Sequence, residues 1–204
     1  VLYRDGNQTL WQVPDFALDL RHHDRRSVIV GEANVASSRG DWQLEVRTAQ
    51  KTRTNGLEIQ VLVENLVPSG IAGNFPTVGL LRALDMAVDG EAVADLARNG
   101  DFIGGEAEVR LAPGQITPPW DRDTPVRIDH GDVTLRYIEG QKILELAPST
   151  LRWGKHAQAT FSGTFRPDFD KTSKIASWNF DIKAEDAVLG VDEFGLGPTK
   201  VDEW

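Results

Sequence analysis

Hydrophobic and polar residues alternate along most of this chain. From Asp41 to Val67, DWQLEVRTAQKTRTNGLEIQVLVENLV, apolar positions recur at every second residue on both sides of a polar segment. Trp42, Leu44 and Val46 share one side, with Gln43, Glu45 and Arg47 on the other. After Gln50 to Gly56, the residues Leu57, Ile59, Val61 and Val63 alternate with Glu58, Gln60 and Glu64. Successive strand side chains point to opposite faces, so this stretch predicts an antiparallel hairpin with one buried side. Asn55-Gly56, just before the second run, is a turn signal.

The same reading predicts strands along the rest of the chain. Tyr3-Arg4 ends a first strand, and Thr9 to Val13 is a second that Pro14 breaks. Asp15 to Arg21 carries Phe16, Leu18 and Leu20 on one face, and Ser27 to Ala36 contains Gly31 as a mark of a bulge or bend. Between Ser69 and Leu84 the alternation is lost. The helical spacing of Leu80, Leu81 and Leu84, with Pro76 in a first turn, predicts one or two short connector helices. Strands return at Asp85 to Asp89, Glu91 to Ala97 and Ile103 to Leu111. Pro113 to Pro125 is the longest irregular connection, with a middle able to run extended. Beyond it come Val126 to His130 and Asp132 to Glu139, split by Gly131. Ile143 to Ala147, Thr150 to Trp153 and Gln158 to Arg166 follow, then a polar loop from Pro167 and a last strand from Ile175 to Ala184.

One face of these strands carries Phe16, Leu18, Leu20, Trp42, Leu44, Val46, Ile59, Val61, Val63, Val109, Leu111, Leu135, Phe161, Phe165, Trp178, Phe180 and Ile182. Burying half of them contributes on the order of 12–25 kcal/mol before entropy is counted, at about 1.5–3 kcal/mol each. The expected fold is therefore mostly β: an antiparallel, strongly curved sheet. It takes the form of a U-shaped groove or an open barrel or sandwich. The other face is charged and polar, which excludes an outer-membrane barrel with its apolar lipid-facing side.

An internal repeat is expected within a single domain spanning 1–204. Tyr3 and Tyr137, Gly31 and Gly163, and Trp42 and Trp178 recur at nearly constant spacing. This divides the chain into a first repeat of about 1–112, a second of about 113–184, and a Gly-rich tail, 185–204, that opens a further connector.

Composition narrows the function. The chain has 204 residues, a formal net charge of −9 and no cysteine. An acidic surface disfavours nucleic acid and anionic membrane surfaces as partners. Without cysteine there are no disulfides, thiolate metal sites or thiol nucleophiles. No run of about 18 apolar residues exists to span a membrane as a helix. The opening Val1-Leu2-Tyr3 begins inside a strand pattern, as an internal piece of a longer protein would.

No catalytic frame emerges, and no cofactor is expected. The candidates for chemistry are His22-His23-Asp24, His130, His156, Asp121-Arg122-Asp123 and the glycines from Gly100 to Gly105. Adjacent histidines in a strand turn point apart. The glycines precede no helix that would cradle phosphate. Of the six tryptophans, Trp42 and Trp178 read as core. Trp11 and Trp153 read as core or rim, and Trp120 and Trp204 as exposed.

Tyr3-Arg4-Asp5, Trp11-Gln12-Val13-Pro14, Leu18-Asp19-Leu20, Val30-Gly31-Glu32-Ala33, Trp42-Gln43-Leu44-Glu45-Val46, Leu66-Val67-Pro68 and Leu84-Asp85-Met86-Ala87-Val88-Asp89-Gly90 together resemble the AsmA-like family. The likeness is to its large YhdP- and TamB-like members of the Gram-negative envelope, and it covers most of the chain. It implies a repeating β-groove anchored in the inner membrane by a helix that this segment lacks. Such a groove crosses the periplasm and carries phospholipid between the membranes. The expected partners are phospholipid or another apolar ligand and neighbouring repeats of the same chain. The alternatives are a structural β module with a filled core, and a carbohydrate-binding domain using Trp120 or Trp153.

Overall fold

The computed structural model describes residues 2–4, 7–9, 12–23, 26–51, 56–72, 81–117, 123–139, 142–153, 157–169 and 175–188. The strands are β1 (Leu2–Arg4), β2 (Asn7–Thr9), β3 (Gln12–His23), β4 (Arg26–Ala36), β5 (Trp42–Gln50), β6 (Leu57–Leu66), β7 (Leu84–Asp85), β8 (Val88–Leu96), β9 (Phe102–Leu111), β10 (Gly114–Ile116), β11 (Val126–Ile128), β12 (His130–Ile138), β13 (Ile143–Trp153), β14 (Ala157–Phe169) and β15 (Ile175–Val188). Helix α1 (Pro68–Ala72) lies between β6 and β7.

Ten strands form one antiparallel sheet in the order β15-β14-β13-β12-β9-β8-β6-β5-β4-β3. This is a meander in chain order, interrupted by two excursions. It is the open antiparallel sheet expected from the alternation, with β3 and β15 as its edges among the described residues. A right-handed twist of roughly 20–25° per neighbouring pair accumulates across such a sheet. Register shifts at Val63/Leu66, Asp132/Leu135, Leu146/Ser149 and elsewhere bend it further.

The excursions leave from the same end of the sheet. One runs from the end of β6 to the start of β8, the other from the end of β9 to the start of β12. They meet as a three-stranded flap, β11-β10-β7, in which Ile116 pairs with Leu84 and Gly114 with Ile128. Ala112 N–H to the Ala87 carbonyl and Thr117 N–H to the Ala83 carbonyl add rungs, at 2.9 and 2.8 Å. Under the flap sits the packed core: Met86, Val88, Leu111 and Ile128, with Leu66, Val109, Ile116, Val126, Val133, Leu151 and Trp153 against them. Asp85 fixes the flap's outer side, accepting from Ser69 Oγ at 3.0 Å and pairing with Arg39 of the β4–β5 turn.

Several boundaries differ from the sequence reading. Pro14 does not break its strand; β3 runs through it, with a register shift between Gln12 and Asp15. An edge strand tolerates the missing N–H at such a point. Gly31 marks no bulge, since the ladder to β3 runs unshifted from Asn34 to Arg26 and the ladder to β5 from Val35 to Val28. Gly131 lies inside β12; a Cβ there would come within 2.6 Å of Leu151 Cδ2 and 2.9 Å of Leu111 Cδ1, so close packing requires the glycine. The break falls instead at Asp129, whose N–H bonds the Arg152 carbonyl at 2.8 Å.

Ile143 to Trp153 is one strand. Its bulge beside Pro148 is satisfied by Ser149, whose hydroxyl donates to the Ala147 carbonyl at 2.7 Å and accepts from Thr134 N–H at 3.0 Å. Pro167 belongs to β14 and opposes position 178 rather than opening a loop. β15 extends past Ala184 to Val188. Leu84 is in β7, not a helix, and the expected strand from Asp85 is broken at Met86, which turns into the core. One α-helix and a 3₁₀ turn at 81–83 occupy the connector region; Pro76 and Leu80 lie outside the described residues. The irregular connection from Pro113 begins as β10.

Ile128 is 2% exposed at the centre of the flap core. Ile128→Ala is expected to cost about 2–5 kcal/mol of stability by urea denaturation. Leu62→Ala, at a position 37% exposed, should stay within about 0.5 kcal/mol of the parent.

Candidate functional site

Strand register carries the apolar series across the whole sheet. One unbroken row runs Leu18, Gly31, Val46, Val61, Ala92, Ala107, Leu135, Leu146, Gly163, Ile182, each opposite the next. A second runs Leu20, Ile29, Thr48, Ile59, Ala94, Gly105, Tyr137, Leu144, Phe165, Phe180. Phe16, Trp42, Leu44, Val63, Val109, Leu111 and Phe161 fall on the same side by the same pairings, as does backbone position 178. Gly31 and Gly163 occupy matching places in the first row, between Leu18 and Val46 and between Leu146 and Ile182.

Little covers this face. Of the residues expected there, Leu111 is buried, beneath the flap. Phe16, Leu18 and Leu20 are 64–68% exposed and Phe180 is 56% exposed. The positions between, such as Val46, Val61, Leu135 and Phe165, are half-buried by their cross-strand neighbours. The total accessible surface is 14503 Å²; a compact monomer of 22.5 kDa would have about 9,500 Å². A sheet one layer thick over most of its described width contributes to the excess.

The floor is lowest along β8 and β9, where Gly90, Ala92, Ala94, Gly105 and Ala107 replace larger side chains. Glycine is obligatory at two points of the face. A Cβ on Gly105 would lie 2.6 Å from the Val93 carbonyl oxygen, and one on Gly163 would collide with the Asp181 carbonyl. Away from the flap, a concavity of about 310 Å³ opens among Ile29, Thr48, Leu57, Leu96 and Ala97.

Deeper relief lies on the opposite, polar face. Depressions of about 840 and 660 Å³ open between long side chains such as Glu91, Glu106, Glu108, Arg136 and Glu145, and Glu64, Asp89, Arg110 and Asp132. Cross-strand pairs organise that face: Arg136 Nε to Glu106 at 2.7 Å, Gln60 Nε2 to Glu91 at 2.5 Å, and Lys51 Nζ to Asp95 and Glu58 at 2.5 and 3.2 Å. The hydrogen bond that Lys51 donates to Asp95, then the one it donates to Glu58, holds its ammonium above the ordinary pKa. Glu106 raises Arg136 in the same way. The exposed acidic series gives this side its affinity for water.

Among the described residues the candidates for chemistry do not assemble. His22 Nδ1 lies 3.0 Å from Ser27 Oγ, and His130 Nε2 lies 3.0 Å from Asp132 Oδ2. Among the described residues no three His, Cys, Asp or Glu side chains are grouped to hold a metal ion. Gly100 sits at φ +89° in the β8–β9 turn, while Gly104 and Gly105 are inside β9. Trp153 packs in the flap core, 6.4 Å from Phe161 ring to ring. Asp24, Trp120, Asp121, Arg122, His156 and Trp204 lie outside the described residues. Sequence reasoning missed Tyr137, Leu144 and Leu146 as members of the apolar face; their pairing with Gly105, Phe165 and Gly163 reveals them. No helix among the described residues is long and apolar enough to cross a membrane.

No protein-family model, curated protein or solved structure matches this chain.

Gly163→Ala is expected to force β15 away from β14 and destabilise the protein by about 1–3 kcal/mol. Gly104→Ala meets nothing within 4 Å and should be near neutral. Paired thermal or urea melts separate the two.

Proposed function

We propose that this chain is a non-enzymatic segment of a periplasm-spanning envelope protein of the AsmA-like kind, shielding phospholipid acyl chains between inner and outer membrane. The observation that carries the reading is the pair of apolar rows crossing all ten strands with, among the described residues, only the flap over one end. A lipid tail needs a continuous apolar strip whose backbone polar groups are already satisfied, and a hydrogen-bonded sheet supplies one. Neighbouring strands lie about 4.8 Å apart, so nine gaps give a strip of roughly 43 Å, longer than the ~30 Å hydrocarbon core of a bilayer. The charged opposite face keeps such a wall wetted on its outer side, and headgroups remain in water at the rim.

A structural module is the second reading, and the flap core favours it locally. That core occupies one end of the strands, around Val88 and Leu111, and leaves the central rows half-exposed. Cargo shielding accounts for those rows; a spacer gives them no role.

The test is native mass spectrometry of the protein purified from a Gram-negative host, with an environment-sensitive apolar dye as a second readout. Co-purifying phospholipid and dye binding that phospholipid competes away are expected. Ala107→Lys, in the middle of the first row, should reduce dye binding several-fold, and Glu32→Gln on the polar face should leave it unchanged. Absence of lipid together with dye binding that nothing competes would overturn the reading.

A further inference from the structure

The two edges of the sheet are not equivalent. β15 is protected: Asp186, with a left-handed φ of 52°, sits in a register shift against β14, and a second shift lies near the strand's other end. Irregularities of this kind stop a neighbouring strand from docking. β3 has no such device between Asp15 and His22. Its shift is confined to the Gln12–Asp15 end. Phe16, Leu18 and Leu20 there are 68, 64 and 67% exposed, and among the described residues no strand pairs with the outer side of β3.

The order of residues along β3 is self-complementary when reversed. With Leu18 opposite Leu18 of a second copy, Phe16 faces Leu20 twice on the apolar side, and Asp15 faces Arg21 twice on the polar side. Asp19 then lies opposite the uncharged Ala17. Moving the register by two residues either way sets like charges opposite each other, Asp19 against Asp15 in one direction and Asp19 against Asp19 in the other. A shift of four that pairs Asp19 with Arg21 leaves Phe16 without an apolar partner. Opposite charges and apolar pairs directly across strands stabilise an antiparallel ladder, and like charges oppose it. Arg21 already bonds Asp19 of its own strand through Nε at 2.7 Å, which holds the guanidinium on the polar side where the partner's Asp15 would meet it.

We infer that two copies of this chain associate through β3 in this antiparallel register, extending the sheet across a two-fold axis. The closed, isologous arrangement uses one edge of each copy and leaves β15 free. It makes the apolar face continuous between copies, and it stands whether or not that face carries lipid.

Because the chain has no cysteine, single-cysteine variants report the register directly. Directly opposed residues of an antiparallel pair have Cα atoms about 4.5–5.5 Å apart, within disulfide range. Sedimentation of the parent protein over micromolar to submillimolar concentrations should show a monomer–dimer equilibrium. Leu18→Cys should form a covalent dimer under mild oxidation, while Ile182→Cys on β15 should not. Asp15→Arg should weaken the dimer at least several-fold. Adding Arg21→Asp to the same chain should restore it, which separates register from loss of fold. A parent monomeric throughout, with Leu18→Cys uncross-linked, would overturn the inference. So would a covalent heterodimer that forms between Leu18→Cys and Ile182→Cys, since that reports head-to-tail joining of β15 to β3.

Discussion

Every feature of this protein follows from a single-layer sheet holding itself together by backbone ladders. Antiparallel pairing satisfies the peptide groups of the inner strands, and the side-chain alternation then sorts residues by sign of hydropathy onto two faces. A second layer would bury the apolar face, but among the described residues one is found only where the two excursions meet over Met86, Val88, Leu111 and Ile128. The large accessible surface, the half-exposed rows and the bare edges are consequences of that shortage.

The chain compensates locally. The flap ties two remote connections together through the Ile116–Leu84 and Gly114–Ile128 pairs, so the best-packed region draws on both excursions. Ser149 repairs the bulge beside Pro148, serving as donor and acceptor at once. On the polar side, Arg136–Glu106 joins the neighbouring strands β12 and β9, and Lys51, just past β5, reaches across β6 to Asp95 of β8. Being exposed, each is worth little by itself, and their main effect is to keep that face in water.

The hairpin from Trp42 to Leu66 was legible because its signal is local: a two-residue period on each side of a polar turn fixes both the strands and the facing residues. Proline and glycine misled where tertiary context overrules punctuation. Pro14 sits on an edge, Pro148 in a repaired bulge, and Gly131 where Leu111 and Leu151 leave no space for a Cβ. Of the flap only the strand from Val126 was legible; its pairing was not, because β7, β10 and β11 are two or three residues each and find partners across long connections. The membership of the apolar face was readable for most positions, but its exposure was not. Alternation says which side a residue takes and is silent on what lies above it. Tyr137, Leu144 and Leu146 show the complementary failure, since only pairing across strands places them beside Gly105, Phe165 and Gly163.

The strand order has a mechanical corollary. The chain enters the large sheet at one margin and leaves it at the other, visiting every strand in turn. Tension applied along the polypeptide therefore loads rungs singly, opening the sheet like a zip from its margins. Peeling meets its first strong resistance where the excursions stitch β6, β8, β9 and β12 into a common knot of packed side chains. A molecule built this way yields gradually under pull while its centre stays folded.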